Sequence, residues 1–163
     1  MRLLALTLIL FSVKAIAAFD ANSITLGANE KQVRAQFHSI YCKPLEWESR
    51  AADRRCDDAR ISFGGIEARV TFYLRKDKVE AFDLRFDTRE VGRLVPHLKQ
   101  RYGQPTSEVT DKIEEKDKPA REVLKVLWEG KGERAVLTAQ LNQRRGSLLV
   151  YRGDFEEEIY KVR

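Results

Sequence analysis

The sequence has little of the material from which metal centres and membrane spans are built. Its 163 residues include two histidines, two cysteines and one methionine. It has no run of about 18 apolar residues, the length that a helix needs to cross a bilayer, so we expect no stable membrane insertion. It also has no glycine-rich phosphate loop, nucleophile elbow or zinc-ligand spacing. We therefore expect no metal, no cofactor and no catalytic residue, and a protein that is not an enzyme.

The charge is modest and mixed in sign. The net charge is +5, and it falls to +3 without the first 18 residues, because Arg2 and Lys14 are the only charged residues there. A composition of 43% hydrophobic and 34% charged residues is typical of a folded globular chain and excludes a disordered one. Acidic residues are interleaved with the arginines, so we expect no nucleic-acid partner.

Residues 1–18 have the pattern of a secretory signal peptide. Arg2 gives a positive start, an apolar stretch follows from Leu3 to Val13, and small residues end the segment at Ala15–Ala18. An apolar stretch of about 11 residues is too short to span a bilayer. The sequence predicts cleavage after Ala17 or Ala18 and a periplasmic or secreted protein; an uncleaved N-terminal anchor is the alternative. No cysteine at the cleavage point offers a site for lipid attachment.

Cys42 and Cys56 are the two cysteines, and in an exported chain they predict one disulfide. The bond would close a ring of about 15 residues, which stabilises a folded chain by about 3 kcal/mol in the chain-entropy model. The alternative is that Cys42 is a nucleophile activated by His38, four residues earlier, because residues four apart share a helix face.

The first half of the exported chain predicts one helix, a polar loop and three strands. Asn29 and Gln32 form a capping-box pattern ahead of an apolar stripe at Val33, Phe37 and Ile40. Residues 41–58 lose this periodicity and are expected to form a loop closed by the disulfide. Alternating apolar residues then predict three strands in a meander, with core-facing side chains at Ile61 and Phe63, at Val70, Phe72 and Leu74, and at Phe82, Leu84 and Phe86.

The second half repeats this order. Asp87 and Glu90 open a helix that ends near Gly103, with Pro96 predicting a kink or a later helix start. Residues 104–119 are expected to form a solvated loop. A second meander follows, with alternating residues at Leu124, Val126 and Trp128, at Leu137, Ala139 and Leu141, and from Leu148 to Tyr151.

The repeated order predicts an internal duplication. Phe63-Gly64-Gly65 corresponds to Trp128-Glu129-Gly130, and Val70–Leu74 corresponds to Leu137–Leu141. We therefore expect a single domain over 19–163, made of two repeats (about 22–87 and 88–153) and a short C-terminal tail. The predicted fold class is α+β: two tandem α-β-β-β units forming a largely antiparallel six-stranded sheet, with both helices on one face and the other face open.

The pattern resembles a superfamily of small exported proteins. Leu26-Gly27 before a capped helix, and Tyr102-Gly103-Gln104-Pro105 after another, are similar to signatures of the superfamily that includes β-lactamase-inhibitor-protein-like and outer-membrane-assembly-lipoprotein-E-like proteins. The resemblance implies tandem helix-and-sheet modules and protein binding through the open sheet face. The chain departs from it in lacking a lipid-attachment cysteine and in having one helix per half where the inhibitor repeats have two. The pattern also recurs in exported bacterial proteins of unknown role, so no functional residue is carried over.

The outward positions of the first meander supply the candidate binding residues. We expect Arg69, Tyr73, Arg75 and Arg85 on the exposed face, where arginine and tyrosine are frequent anchors at protein interfaces; a solvated face with cross-strand ion pairs is the alternative. Trp47 lies in the predicted disulfide-closed loop, either as a recognition residue or as an anchor over the disulfide. On the second meander, the corresponding face is apolar and is expected to be covered by the C-terminal tail or by a partner.

Two binding functions follow. The first is a module that docks an envelope or secreted protein through the open sheet face, as an adaptor or as an inhibitor of a hydrolase. The alternative is a binder of an anionic envelope ligand, a lipid head group or an acidic polymer, through the arginine-rich face.

Overall fold

The computed structural model describes residues 18–114 and 118–161. These residues form ten β-strands, three α-helices and one 3-10 turn. In chain order the elements are β1 Asp20–Ala21, β2 Ile24–Thr25, α1 Glu30–Gln36, β3 Tyr41–Pro44, β4 Arg54–Phe63, β5 Ile66–Arg75, β6 Lys78–Phe86, the 3-10 turn Thr88–Glu90, α2 Val91–Tyr102, β7 Ser107–Ile113, β8 Arg121–Gly130, β9 Glu133–Gln140, β10 Arg145–Arg152 and α3 Phe155–Glu158.

An eight-stranded antiparallel sheet dominates the fold, and the prediction of a six-stranded sheet with helices on one face is wrong. The strand order is β3-β4-β5-β6-β10-β9-β8-β7, and β1 and β2 form a separate two-stranded sheet. Each half of the chain contributes one helix and then four consecutive strands, and the halves meet where β6 pairs with β10. The duplication that the sequence suggests stays a prediction.

The two additional strands lie at the sheet edges, within segments that were predicted as loops. β7 pairs with β8 along its whole length, yet all seven of its residues are exposed. β3 has four residues and pairs with β4. Neither strand carries the alternation of buried apolar residues that predicts a strand in a sequence, because an edge strand can satisfy one side of its backbone without contributing to a core.

One face of the sheet packs against α1 and α2. Asn29 caps α1 through the predicted capping box, with Asn29 Oδ1 accepting from the Gln32 backbone N–H at 2.9 Å. Asp87 instead caps the 3-10 turn that leads into α2, and Pro96 lies within α2. The helices bury Val33, Leu94 and Leu98 against the sheet in one continuous core; its sheet side includes Phe63, Phe72, Phe82, Leu84, Trp128, Leu137 and Leu148.

The opposite face is partly covered, which is the second reason that the predicted fold class is wrong. The helix α3 and the loop before β4 lie over this face and form a smaller apolar cluster. Phe155 and Ile159 from the C-terminal segment bury Tyr73, Ala81 and Tyr151 of the sheet. Helices therefore pack on both faces, because the apolar residues of the tail need a surface to cover.

The predicted disulfide between Cys42 and Cys56 is confirmed. The two cysteines lie directly opposite each other on β3 and β4, and both are buried. With both sulfurs bonded, the alternative in which Cys42 is a nucleophile is wrong.

The signal peptide predicted for residues 1–18 lies, except for Ala18, outside the described residues and stays a prediction. Within 18–114 and 118–161, no helix is long and apolar enough to cross a membrane.

Candidate functional site

One face of the eight-stranded sheet packs against α1 and α2, and α3 covers part of the other. The part of that other face that α3 leaves open carries a pair of arginines. Arg69 on β5 and Arg85 on β6 are direct cross-strand partners, and both are exposed. Like charges at directly opposed positions destabilise a sheet, so this pairing places two positive charges where the fold alone does not favour them.

The two arginines differ in their acidic partners. Arg85 Nε donates to Asp83 Oδ2 at 2.9 Å. Burial raises the pKa of Asp83, and the hydrogen bond and charge of Arg85 counteract this only in part. Arg69 forms no hydrogen bond or ion pair with the described residues, so its guanidinium group is available to a ligand.

Further arginines complete a cleft of about 820 Å³ above the centre of the sheet. We call it the arginine cleft. Arg89 comes from the 3-10 turn after β6, and Arg144 and Arg145 come from the turn between β9 and β10 and the first position of β10. The remaining lining residues are Glu67, Ala68, Arg69, Asp83, Arg85, Phe86, Asp87, Glu90, Thr138, Gln140, Gly146 and Ser147.

The acids of the arginine cleft have arginine partners of their own. Asp87 binds Arg89 at 2.8 Å, and the hydrogen bond from Arg89 lowers the pKa of Asp87. Glu67 and Glu90 also line the cleft, and their partners are arginines outside it: Arg60 lies 3.9 Å from Glu67, and Arg93 lies 3.4 Å from Glu90.

Arg145, like Arg69, has no hydrogen bond or ion pair with its side chain in the described part of the chain. The cleft therefore keeps at least two positive charges without an ion-pair partner among the described residues, because each of its acids lies within 4 Å of another arginine. Guanidinium groups bind carboxylates and phosphates through two parallel hydrogen bonds. The arrangement is suited to bind an anionic group.

The apolar side chains beside the cleft are half-buried. Three of them lie side by side on adjacent strands: Leu149 on β10, Val136 on β9 and Leu127 on β8. Leu149 is two residues, or about 7 Å, along β10 from Ser147, which is the cross-strand partner of Arg85. Leu149 and Val136 also contact the cluster that α3 covers. They confirm that the apolar face of the second meander is covered in part by the C-terminal segment.

The candidate residues predicted from the sequence fall into three places. Arg69 and Arg85 come together in the arginine cleft. Tyr73, which was expected to be exposed, is 6% exposed, because the Phe155 ring packs on it with the ring centroids 5.3 Å apart. Burial raises the pKa of the Tyr73 hydroxyl.

Trp47 and Arg75 lie away from the cleft. The indole Nε1 of Trp47 donates to the Ile159 carbonyl oxygen at 2.8 Å, and its ring stacks on Tyr160 at 5.9 Å. Trp47 therefore holds the C-terminal segment rather than lying over the disulfide. Arg75 is six residues from Arg69 on the same strand, about 20 Å away by the rise of a β-strand.

Sequence reasoning missed Arg89, Arg144 and Arg145. Arg144 ends the turn between β9 and β10, and Arg145 is the first residue of β10. Their approach to Arg69 and Arg85 depends on the pairing of β6 with β10, which joins residues 60 to 70 positions apart in the sequence and leaves no local signal.

One group of described residues has metal-ligand atoms close together: Glu30, Cys42 and Cys56. Both sulfurs are consumed by the disulfide, and the Glu30 carboxylate binds Arg54 and Arg34, so this group does not offer a metal site.

No protein-family model matches the chain, and neither a curated protein nor a solved structure does. The resemblance to the inhibitor-protein-like and assembly-lipoprotein-like superfamily therefore stays a prediction.

Proposed function

We propose that this protein is a binding module that captures an anionic ligand in the arginine cleft. The observation that carries the proposal is the juxtaposition of Arg69, which has no acidic partner among the described residues, with its cross-strand partner Arg85. Arg145 extends the same positive surface across β10. Two unpaired guanidinium groups around one cleft favour a ligand with several negative oxygens over a neutral one.

The chemistry of the ligand is that of a phosphate or carboxylate group. A lipid head group and an acidic polymer of the cell envelope both supply it, and the predicted export of the chain supports an envelope ligand. The two sources are distinguished by separate probes: vesicles of phosphatidylglycerol against phosphatidylcholine for the lipid, and soluble polyphosphate for the polymer.

The test is a binding titration with a double variant, Arg69→Ala with Arg145→Ala. We expect the variant to bind the effective probe at least tenfold more weakly, because each charge-assisted hydrogen bond contributes about 1.5–3 kcal/mol. For polyphosphate, the salt dependence should also become shallower, by about one unit of slope for each guanidinium that contacts phosphate.

Arg75→Ala is the matched control. It removes the same charge from the same strand, at the end away from the cleft, and should leave binding unchanged. Equal weakening by Arg75→Ala and by the cleft variants would indicate a general charge effect and would contradict the proposal. Binding of neither probe to the unmodified protein would contradict it as well.

Docking of a protein partner, as an adaptor or an inhibitor, is the second candidate. It is favoured by the half-buried strip of Leu127, Val136 and Leu149 beside the cleft. It is less well supported because Tyr73 and Trp47, two of its expected anchors, contact the chain's own C-terminal segment. Binding of a protein through this strip would depend weakly on salt and would be lost in Val136→Asp. Anion capture would depend strongly on salt and would persist in Val136→Asp.

A further inference from the structure

β7 is an edge strand with one free side. Each of its residues, from Ser107 to Ile113, is exposed, and it pairs with β8 alone among the described residues. The backbone N–H and C=O groups that point away from β8 therefore have no strand partner in the described part of the chain. A long, exposed edge strand without proline is a template for pairing with another strand.

The other edge of the sheet is closed to such pairing. β3 has four residues and ends at Pro44, which has no backbone N–H to donate. The loop after it folds back, and the Leu45 backbone N–H donates to the Asp53 carbonyl oxygen at 2.9 Å. β7 is therefore the edge at which the eight-stranded sheet can be extended.

On one face of β7, the set Glu108, Thr110 and Lys112 is complementary to itself when the strand is reversed. In an antiparallel pair of two copies centred on Thr110, Glu108 lies opposite Lys112 of the second copy, and Lys112 lies opposite its Glu108. Thr110 lies opposite Thr110, and β-branched or threonine pairs of this kind stabilise sheets. All seven residues of the strand are paired in this register.

Other registers are less favourable. A two-fold axis perpendicular to the sheet keeps each face on its own side, so odd-numbered residues pair with odd and even with even. A pair centred on Asp111 would place two aspartates opposite each other and Glu108 opposite Glu114. A pair centred on Val109 would leave Lys112 and Ile113 beyond the strand of the second copy.

We propose that a second copy of this chain pairs with β7, antiparallel and centred on Thr110, so that one sheet continues through both copies. Glu108 now binds Lys99 of α2 at 2.6 Å, and Lys112 binds Glu114 at 2.7 Å. Exposed ion pairs contribute little and exchange easily, so Lys112 of the second copy can join Lys99 at Glu108. The dimer would present two arginine clefts on the same side of the extended sheet.

The test is sedimentation equilibrium of the purified protein and of two charge reversals, Glu108→Lys and Lys112→Glu. We expect the unmodified protein to form a concentration-dependent dimer. Each reversal should weaken it roughly tenfold or more, because it converts two opposite-charge pairs into two like-charge pairs. Mixing the two variants should restore a dimer, since two lysines in one copy then face two glutamates in the other.

Lys31→Glu is the control, because it makes the same charge change on the exposed side of α1, and it should leave the dimer intact. A protein that is monomeric up to its solubility limit would overturn the proposal. So would a dimer that is insensitive to both reversals, which must use another surface, or a failure of the mixed variants to associate. The mixing result also guards against misfolding, since misfolded variants would not pair.

Discussion

Gly146 of β10 lies directly opposite Phe86 of β6, and the Phe86 ring covers the space that a side chain at Gly146 would occupy. A Cβ at Gly146 would lie 2.7 Å from Phe86 Cζ. This contact sits at the pairing of β6 with β10, beside Arg145. It therefore links the packing of the core to the position of the arginine cleft.

Gly146→Ala should destabilise the protein by about 1–3 kcal/mol, because the Phe86 ring would have to leave its position in a packed core. Denaturant unfolding monitored by circular dichroism measures the loss. Gly130→Ala is the matched control at the end of β8, where a Cβ meets nothing within 4 Å. Equal midpoints for the two variants would show that the ring can move at no cost.

Phe155→Ala should destabilise the protein by about 3 kcal/mol, the usual cost of removing a buried phenylalanine ring. Phe155 is 5% exposed and contacts the rings of Tyr73 and Tyr151. The measurement is the free energy of unfolding from a urea titration, with Glu157→Ala as an exposed control on the same helix. An unchanged free energy would mean that α3 does not hold its place on the sheet.

Removal of the disulfide should lower the free energy of unfolding by about 3 kcal/mol, given a sequence separation of 14 between Cys42 and Cys56. The comparison is between the unmodified protein and the variant Cys42→Ala with Cys56→Ala, each with and without a reductant. The reductant should destabilise the first protein and leave the second unchanged. If it shifts both equally, the effect does not come from this bond.

Acidification should strengthen anion capture in the arginine cleft. Burial raises the pKa of Asp83 above its ordinary value, so the folded protein takes up this proton before an unfolded chain would. Ionised Asp83 therefore lowers stability at neutral pH, and this penalty is relieved as the pH falls through the raised pKa. The same protonation removes a negative charge beside Arg85 and leaves the cleft more positive.

The measurement is affinity for dextran sulfate, whose sulfate groups stay ionised over the whole range, between neutral pH and the pKa of Asp83. Asp83→Asn should bind more tightly than the unmodified protein at neutral pH and should lose most of the pH dependence. If the variant keeps the full dependence, another group is responsible. The pKa itself is obtained from an NMR titration of the Asp83 carboxyl group.

The sequence predicts the interior of this fold well and its margins poorly. Alternation at Val70, Phe72 and Leu74 identifies β5, because a strand with one buried face must alternate. β7 offers no such signal, since none of its side chains is buried. The pattern around Val33 likewise identifies α1. The sequence around Phe155 does not show which face of the sheet this side chain covers, and the structure places it on the face opposite α1 and α2.

The candidate site shows the same division. The exposure of Arg69 and Arg85 follows from the alternation of side chains along β5 and β6, because their neighbours in sequence, such as Val70 and Leu84, face the core. Their direct opposition follows from the register of the β5–β6 hairpin, which a bulge shifts between Tyr73 and Leu74. The contribution of Arg145 depends on the distant pairing of β6 with β10. Local patterns cannot specify such a contact, because its two sides are brought together only by the whole sheet.

That pairing also has a consequence for how the protein acquires its shape. Phe82 on β6 pairs with Val150 on β10, 68 residues later in the sequence, so the centre of the sheet forms only when these two distant segments come together. Contacts between such remote segments make folding slow. Until β10 pairs with it, β6 has one side whose backbone hydrogen-bonding groups lack a strand partner, so the first half of the chain carries an exposed edge that can pair with another chain.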